Sequence, residues 1–333
     1  MAKVLILGAG TWGSVVANLL ALNGHSVTCW GRNKNLISKL NSEHTHDKLP
    51  NVVFSEKVLF TNEFESSFYD KDVIIYAIPS NAFRELVDKS IKYINCKHYL
   101  ISLTKGMENN SLFTMSEIIE DELKKHGIVN DKIVVLSGPT HAEEVGKGMA
   151  SMIVSASKND NAAKYIQDLF MNESFRVYTN NDVKGVEICA AFKNVIALAC
   201  GIIAGVGDGD NMKAATITRG LAEMIRVGDA LGCKKETFYG LAGVGDMIVT
   251  AMSTNSRNYN CGKLIGQGMK PKDAIEKIGM VVEGINFLPK AIEIKDRYHV
   301  ELPITSGVYE IVFNNKSAKD IVNFLMTRDK KAE

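Results

Sequence analysis

The sequence lacks paired cysteines. None of its six cysteines forms a C-x-x-C pair, and their spacings match no metal-binding pattern. They are Cys29, Cys96, Cys189, Cys200, Cys233 and Cys261. Several of them stand among apolar residues, where a free thiol behaves as a small hydrophobic group. We therefore expect a reduced, cytoplasmic protein without a bound metal.

An excess of charge of one sign is also missing. The chain carries 39 lysines and arginines against 38 acidic residues, for a net charge of +1. A general nucleic-acid or membrane-surface binder usually shows a basic excess. We expect neither kind of partner, although a local basic site for a small anion stays open.

Long apolar runs are absent as well. The longest run, residues 195–206, is shorter than the roughly 20 residues that a membrane-spanning helix needs. The N-terminal residues begin a strand almost at once and leave no room for a signal peptide. We expect no membrane span and no secretory leader.

What the chain does have is size and apolar content. Its 333 residues are 46% hydrophobic, which is enough for a large core and too long for most single cores. In the first half, continuous apolar runs alternate with helical patterns such as residues 111–126. The predicted strands are Lys3–Leu7, Ser26–Trp30, 73–78, 99–103, Ile133–Ser137 and 152–155. This order predicts an α/β fold with a doubly wound, mostly parallel sheet covered on both faces.

The second half changes character, because helical patterns dominate and strand signals are scarce. The predicted helices are 186–204, 214–231, 272–278, 286–298 and 307–313. Turn chemistry at Asn180-Asn181-Asp182 places a boundary near this point. We expect a sheet domain over residues 1–184 and an all-helical domain over residues 185–333.

A glycine motif follows the first strand. Gly8-Ala9-Gly10-Thr11-Trp12-Gly13 is a G-x-G-x-x-G that opens a predicted helix (residues 14–22) in a βαβ unit. Gly8 permits a tight turn, Gly10 lets the backbone approach a pyrophosphate, and Gly13 lets helix and strand pack closely. The helix N-terminus then presents free N–H groups to phosphates. The motif predicts a dinucleotide site.

The end of the second strand bears on which dinucleotide binds. An acidic residue there would hold the 2′-hydroxyl of NAD, but this chain has Arg32 and no acid. Arg32 can neutralise a 2′-phosphate or lie against the adenine, which favours NADP(H) or tolerance of both cofactors. The alternative is a solvated surface arginine.

The candidates for proton transfer are Lys105, His141, Lys193 and Asp246. Lys193 lies in an apolar helix, where burial disfavours the charged amine; a lysine reaching water from a helix edge is the alternative. Lys105 follows a predicted strand, where ligands of parallel sheets bind. His141 ends the loop Ser137-Gly138-Pro139-Thr140-His141 and titrates near neutrality, but a loop histidine is more often a bystander.

Two further segments suit a phosphorylated substrate. Residues 240–246 form a glycine-rich loop that ends in Asp246, without P-loop spacing. Ser256-Arg257-Asn258 supplies a hydroxyl, a guanidinium and an amide, and the planar guanidinium matches phosphate oxygens. Seen alone, the second segment is more typical of an ordinary turn.

Taken together, the motifs resemble the bacterial-type NAD(P)-dependent glycerol-3-phosphate dehydrogenases over nearly the whole chain. The resemblance rests on the ordered set and on no single member. The set comprises the glycine motif, Thr104-Lys105-Gly106, Ser137-Gly138-Pro139, Phe192-Lys193-Asn194, residues 240–246, Ser256-Arg257-Asn258 and Val281-Val282-Glu283-Gly284.

The resemblance implies a Rossmann domain followed by a helical domain like that of 6-phosphogluconate dehydrogenase. It implies NAD(P)H-dependent interconversion of dihydroxyacetone phosphate and sn-glycerol 3-phosphate, feeding phospholipid synthesis, in a cytoplasmic homodimer. Lys193 matches the proton-transfer lysine. Substrate positions match Lys105, Gly138, Thr140, Lys193, Asp246, Ser256, Arg257 and Asn258. Cofactor positions match Gly8, Gly10, Thr11, Trp12, Gly13, Arg32, Lys105, Ala142, Arg257, Val281 and Glu283. His141 occupies a position at which residues vary within the family, so it is not counted among the catalytic residues.

Two other functions stay open at this point. A related hydroxyacid dehydrogenase or ketopantoate-type reductase would act on a carboxylate instead of a phosphate. A non-catalytic NAD(P)H sensor would need the glycine motif but not Lys193, Asp246 or Arg257.

Overall fold

The computed structural model describes residues 1–109 and 111–330. The chain divides into two compact units, Met1–Val183 and Lys184–Glu333. The first unit contains the sheet and the second is helical, so each is described by itself.

The first unit is built on one eight-stranded sheet with the order β3-β2-β1-β4-β5-β6-β7-β8. The strands are β1 (Lys3–Leu7), β2 (Ser26–Trp30), β3 (Val58–Thr61), β4 (Val73–Tyr76), β5 (Tyr99–Ser102), β6 (Ile133–Ser137), β7 (Ser151–Ala156) and β8 (Phe175–Asn180). All neighbouring pairs are parallel except β6 and β7. The predicted doubly wound, mostly parallel sheet is therefore confirmed, while β3 and β8 were not predicted.

Helices cover both faces of this sheet. They are α1 (Thr11–Leu22), α2 (Lys34–Glu43), α3 (Phe83–Ile91), α4 (Met115–Lys125), α5 (Ala142–Gly146) and α6 (Asp160–Phe170). Strand β1 shows why its sequence reads as a continuous apolar run. Val4 and Ile6 enter one core cluster, whereas Leu5 and Leu7 enter the cluster on the opposite face. Successive side chains of a strand point to opposite faces, so a strand buried on both sides has no polar positions.

The second unit contains no strand among its described residues, 184–330. Its helices are α7 (Val183–Val206, which starts one residue before the unit), α8 (Asp210–Ala230), α9 (Lys235–Tyr239), α10 (Asp246–Met252), α11 (Arg257–Gly266), α12 (Pro271–Ile278), α13 (Glu283–Tyr298), α14 (Pro303–Phe313) and α15 (Ala318–Met326). The predicted helical character is confirmed. The sequence patterns missed α9, α10, α11 and α15, but predicted the eight-residue α12.

Helix α7 corrects one expectation from sequence. Its 24 residues make it the one described helix long and apolar enough to cross a membrane, whereas the apolar run in the sequence looked too short. Within the folded unit, 89% of its apolar window is buried. This burial is typical of a core helix, which passes the same test of length and composition.

Helices α7 and α11 approach each other almost backbone to backbone. A Cβ atom added at Gly201 would lie 2.0 Å from the carbonyl oxygen of Tyr259, and one added at Gly262 would lie 2.1 Å from that of Leu198. Gly205 and Gly266 meet the opposite helix in the same way. Because no side chain fits between them, these glycines hold α11 directly against the second half of α7, the helix that carries Lys193.

Candidate active site

The glycine turn (residues 8–13) has the geometry of a phosphate cradle. Gly8 has a φ of +130°, and a Cβ there would lie 2.3 Å from the carbonyl oxygen of Ala77. A Cβ at Gly13 would lie 1.9 Å from the carbonyl oxygen of Gly8. Both positions therefore require glycine for the turn itself.

Gly10 differs from these two glycines. It is exposed, has an ordinary backbone conformation at the N-terminus of α1, and has no heavy atom within 4 Å of an added Cβ. The protein's own packing thus gives no reason for glycine at this position. The close approach of a pyrophosphate does give one, together with the free N–H groups of the first turn of α1. This chain therefore fits a bound dinucleotide at the glycine turn, and Thr11 and Trp12 lie in that first turn.

Arg32 lies just beyond β2 and is exposed. The next residue, Asn33, caps α2 by accepting a hydrogen bond from the backbone N–H of Leu36 at 3.1 Å. This cap anchors the start of α2, while the Arg32 side chain stays at the carboxyl edge of the sheet. The position agrees with a role toward a 2′-phosphate, which stays a prediction.

Two more loops bring predicted site residues to the same edge. Lys105 follows β5 and is half-buried; the preceding Thr104 donates a hydrogen bond from its hydroxyl to the carbonyl oxygen of Ile78 at 2.8 Å. Gly138 and Thr140 follow β6, and Ala142 is the first residue of α5. At Gly138 an added Cβ would lie 3.0 Å from the Cα of Ile153 on β7, so the loop runs close to the neighbouring strand.

In the helical unit, Lys193 lies in a buried polar cluster. Its side chain projects from α7 and forms an ion pair with Asp246 at the start of α10. Its Nζ also donates a hydrogen bond to Thr250 Oγ1 at 2.8 Å. Lys193 is 5% exposed and Asp246 is 1% exposed. The structure thus rules out a lysine that reaches out to bulk water.

Thr250 was missed from sequence, and its role becomes visible only in three dimensions. It lies one helical turn after Asp246 and donates a hydrogen bond to the Asp246 carbonyl oxygen at 2.6 Å. Because its hydroxyl hydrogen is used there, its oxygen is left to accept from Lys193. The i, i+4 spacing of Asp246 and Thr250 on one helix was the signal available in the sequence.

The segment before Asp246 corrects a second expectation. Residues 240–246 were predicted to form a glycine-rich loop, but Leu241–Gly245 is a π-helical turn that continues directly into α10. A Cβ at Gly243 would lie 2.1 Å from the carbonyl oxygen of Phe238, so this glycine allows the wide turn to pack on the end of α9. Single π turns inside helices are frequent at functional sites. Here the turn sets the direction in which Asp246 enters the core.

Ser256-Arg257-Asn258 is a helix start and not a free turn. Ser256 caps α11 by accepting from the backbone N–H of Tyr259 at 3.2 Å. The Asn258 amide donates to Asn194 Oδ1 and accepts from the backbone N–H of Gly284, both at 2.9 Å. Asn258 therefore ties α7, α11 and α13 together beside Lys193, a bracing role that the sequence did not reveal.

The remaining predicted positions lie around this brace. Arg257 is exposed at the first position of α11. Val281 is also exposed, and Glu283 is the first residue of α13. The structure thus places Ser256, Arg257, Asn258 and Glu283 at two helix starts near the buried lysine; their contacts with ligands stay predictions.

A separate cluster of polar side chains has residue types that could bind a metal ion, contrary to the expectation of no metal site. Asp88, Glu122 and His126 bring three potential ligand atoms within 4.8 Å of one another. The Glu122 carboxylate, however, already forms ion pairs with Arg84 and with Lys125. These cations account for the burial of Glu122 without a metal ion.

Comparisons with known proteins address the whole chain. The family model for the N-terminus of NAD-dependent glycerol-3-phosphate dehydrogenase matches residues 3–163, and the model for its C-terminus matches residues 182–323. The chain belongs to this family. It is therefore a nicotinamide-dependent oxidoreductase, and the resemblance stated from its motifs is confirmed.

Individual relatives agree over their full lengths. Glycerol-3-phosphate dehydrogenase (NAD(P)+) 2 of Lactobacillus delbrueckii subsp. bulgaricus is 46% identical, covering 100% of this chain and 99% of the relative. The Bacillus subtilis protein named glycerol-3-phosphate dehydrogenase (NAD(P)+) is also 46% identical, covering 100% of this chain and 96% of the relative. Among solved structures, glycerol-3-phosphate dehydrogenase of Coxiella burnetii has a TM-score of 0.92 at 32% identity, covering 98% of this chain and 99% of that one.

Proposed function

We propose that this protein interconverts dihydroxyacetone phosphate and sn-glycerol 3-phosphate with NAD(P)H, and that Lys193 transfers the proton. The observation that carries the proposal is the buried Lys193–Asp246 ion pair braced by Thr250, in a chain of this family. A bound nicotinamide supplies or accepts the hydride. The chain's own residues must then bind the substrate, orient it and move one proton.

Lys193 is suited to donate that proton to the carbonyl oxygen as the alcohol forms. An ammonium has only donors, and Asp246 and Thr250 fix the direction of two of them. The carboxylate offsets the cost of burying the ammonium, so the lysine stays ordered inside the unit. In the reverse direction the neutral amine accepts the alcohol proton.

The start of α11 is suited to hold the substrate's phosphate. Ser256 uses its oxygen to accept the capping hydrogen bond, which leaves its hydroxyl hydrogen to donate. Arg257 adds an exposed guanidinium, whose planar donors match phosphate oxygens. The N-terminus of this helix contributes its free N–H groups and the positive end of its dipole.

The cellular setting belongs to the same proposal. We infer a cytoplasmic homodimer that supplies glycerophospholipid synthesis. The cysteines support a reducing compartment, because none of the six, all of which lie in the described part of the chain, forms a disulfide. The relatives support the assignment of substrate, since those described above carry the glycerol-3-phosphate dehydrogenase name.

The test is absorbance at the nicotinamide band with purified protein, dihydroxyacetone phosphate and either NADH or NADPH. We expect rapid oxidation, and no oxidation when ketopantoate replaces the phosphorylated substrate. Oxidation with ketopantoate alone would favour the carboxylate-substrate alternative. Tight dinucleotide binding without turnover on either ketone would favour the sensor alternative. Comparing Arg32→Ala with the wild type in the two cofactors then shows whether Arg32 selects NADPH.

A further inference from the structure

His141 carries a buried polar atom that the proposed mechanism does not use. Its Nε2 is buried and has no hydrogen-bond partner among the residues that the structure describes. The large majority of buried side-chain polar atoms in proteins are hydrogen-bonded. An unpaired imidazole nitrogen therefore marks a place where a ligand can supply the missing partner.

The fold locates the residue His141 at the dinucleotide edge. His141 follows β6, which is parallel to β5 and, through β5 and β4, to β1. The loop after β6 therefore emerges at the same edge as the glycine turn. His141 immediately precedes α5, and α5 packs against α1, the helix that the glycine turn opens.

The strand order also indicates which half of a bound dinucleotide would lie near His141. The strand β2, which ends before Arg32, lies on one side of β1, and the strands β4, β5 and β6 lie on the other. In a doubly wound sheet a dinucleotide crosses this switch point, and its adenosine half lies over the end of the second strand. Its nicotinamide half then extends over the ends of β4 to β6, toward His141.

We propose that His141 is a further cofactor-binding residue, whose Nε2 forms a hydrogen bond with the nicotinamide half of the bound dinucleotide. The inference rests on the proposed function. The nicotinamide carboxamide contains both a donor and an acceptor, so it can pair with either tautomer of the imidazole. His141 thus binds and orients the nicotinamide, while proton transfer stays with Lys193.

Binding measurements with a truncated ligand test this role. The dissociation constants of NADH and of ADP-ribose, which lacks the nicotinamide, are measured for the wild type, His141→Phe and His141→Gln. We expect His141→Phe to bind NADH about 3- to 10-fold more weakly, as for one lost hydrogen bond, and to bind ADP-ribose as the wild type does. His141→Gln keeps a donor and an acceptor and should recover most of the NADH affinity.

Two results would overturn the proposal. Unchanged NADH affinity in His141→Phe would mean that water or the protein itself satisfies Nε2. An equal loss for NADH and ADP-ribose would mean that the ring only supports the loop. Wild-type oxidation of NADH by dihydroxyacetone phosphate is measured in parallel, so failure of this proposal is distinguishable from failure of the proposed function.

Discussion

The two units of this protein provide chemical groups in opposite ways. At the glycine turn of the sheet unit, the groups offered to a ligand are backbone atoms, where Gly10 is exposed and no heavy atom lies within 4 Å of an added Cβ. At the buried ion pair of the helical unit they are charged side chains enclosed by the core, with Lys193 and Asp246 at most 5% exposed. The glycine turn depends on the absence of side chains, whereas the buried site depends on the hydrogen-bond and ion-pair partners of Lys193.

This difference predicts different consequences of mutation. A backbone cradle can lose ligand affinity without any loss of stability, because the added atoms occupy only ligand space. A buried ion pair couples activity to stability, because removing one partner leaves the other buried charge without its counterion. Each of the following changes tests one side of that comparison.

Lys193→Met should have the largest effect. We expect kcat to fall about 10²- to 10⁴-fold, because the proposed general acid is lost. We also expect a loss of about 3–5 kcal/mol in the free energy of unfolding, because Asp246 loses its ammonium partner inside the core. NADH affinity should change by less than about twofold, since the glycine turn is unaltered. Steady-state kinetics, urea unfolding and NADH fluorescence measure the three quantities.

The double variant Lys193→Met/Asp246→Leu separates the two roles of the ion pair. Replacing both charges by apolar groups should recover most of the stability but none of the activity. A matched surface variant, Lys213→Met, removes an ion pair with exposed Asp210 and should leave kcat unchanged. Turnover near the wild-type rate in Lys193→Met would remove Lys193 from the proton-transfer role.

Alanine at Gly13 and alanine at Gly10 should affect different properties. Gly13→Ala forces a Cβ against the carbonyl oxygen of Gly8, so we expect a loss of about 1–3 kcal/mol in stability and a lower Tm. Gly10→Ala should leave the Tm of the ligand-free protein within about 1 °C and weaken NADH binding about tenfold, because its methyl group stands where the pyrophosphate approaches. Thermal unfolding and NADH titration of both variants provide the comparison. Wild-type NADH affinity in Gly10→Ala would contradict the cradle.

The smallest expected effect concerns Glu223 in the helical unit. This carboxylate on α8 is 1% exposed and accepts hydrogen bonds from the backbone and side chain of Thr305, at 3.1 and 2.7 Å, at the start of α14. Burial raises the pKa of its carboxyl group, although the hydrogen bonds from Thr305 and Ile304 oppose that shift. The folded state therefore holds the proton more tightly than the unfolded state does.

The sign of the pH dependence follows from this raised pKa. The stabilisation from Glu223 is complete below its unfolded pKa and is lost as the pH rises through the higher folded value. Glu223→Gln cannot titrate, so it should lack this fall, which is about 1.4 kcal/mol per pH unit at its steepest. Urea unfolding across the pH range above 4.5, the ordinary pKa, measures the difference. The exposed control Glu276→Gln should keep the wild-type slope, and an identical slope in Glu223→Gln would refute the prediction.

Much of the sheet unit could be predicted because its signals are local. The strands at Lys3–Leu7, Ser26–Trp30 and Ile133–Ser137 have the predicted bounds, since buried parallel strands read as uninterrupted apolar runs. Strand β3 was missed because its apolar run, Val58-Leu59-Phe60, is short and lies between Lys57 and Thr61. Strand β8 was missed because its buried positions Phe175 and Val177 are separated by Arg176, so it contains no continuous apolar run.

In the helical unit every helix longer than ten residues was predicted, whereas of the shorter ones only α12 was. Helices α9 and α10 have five and seven residues, too few for a 3.6-residue period to show clearly. The π-helical turn before α10 was predicted as a loop because glycine-rich sequence normally indicates one. Its wide turn depends on packing against the end of α9, which no local pattern records.

By itself, the sequence determined the class of the fold and the position of the glycine turn that is proposed to bind the dinucleotide. Both features are local. The apolar pattern of a strand and the glycines that permit an unusual φ each involve only a few neighbouring residues, so both can be read directly from the sequence. The tertiary structure alone decided that Lys193 pairs with Asp246 and Thr250, and that Asn258 braces α7 against α13. These contacts join residues far apart in the chain, and burial makes them necessary, because a polar group removed from water must find its partner inside the fold.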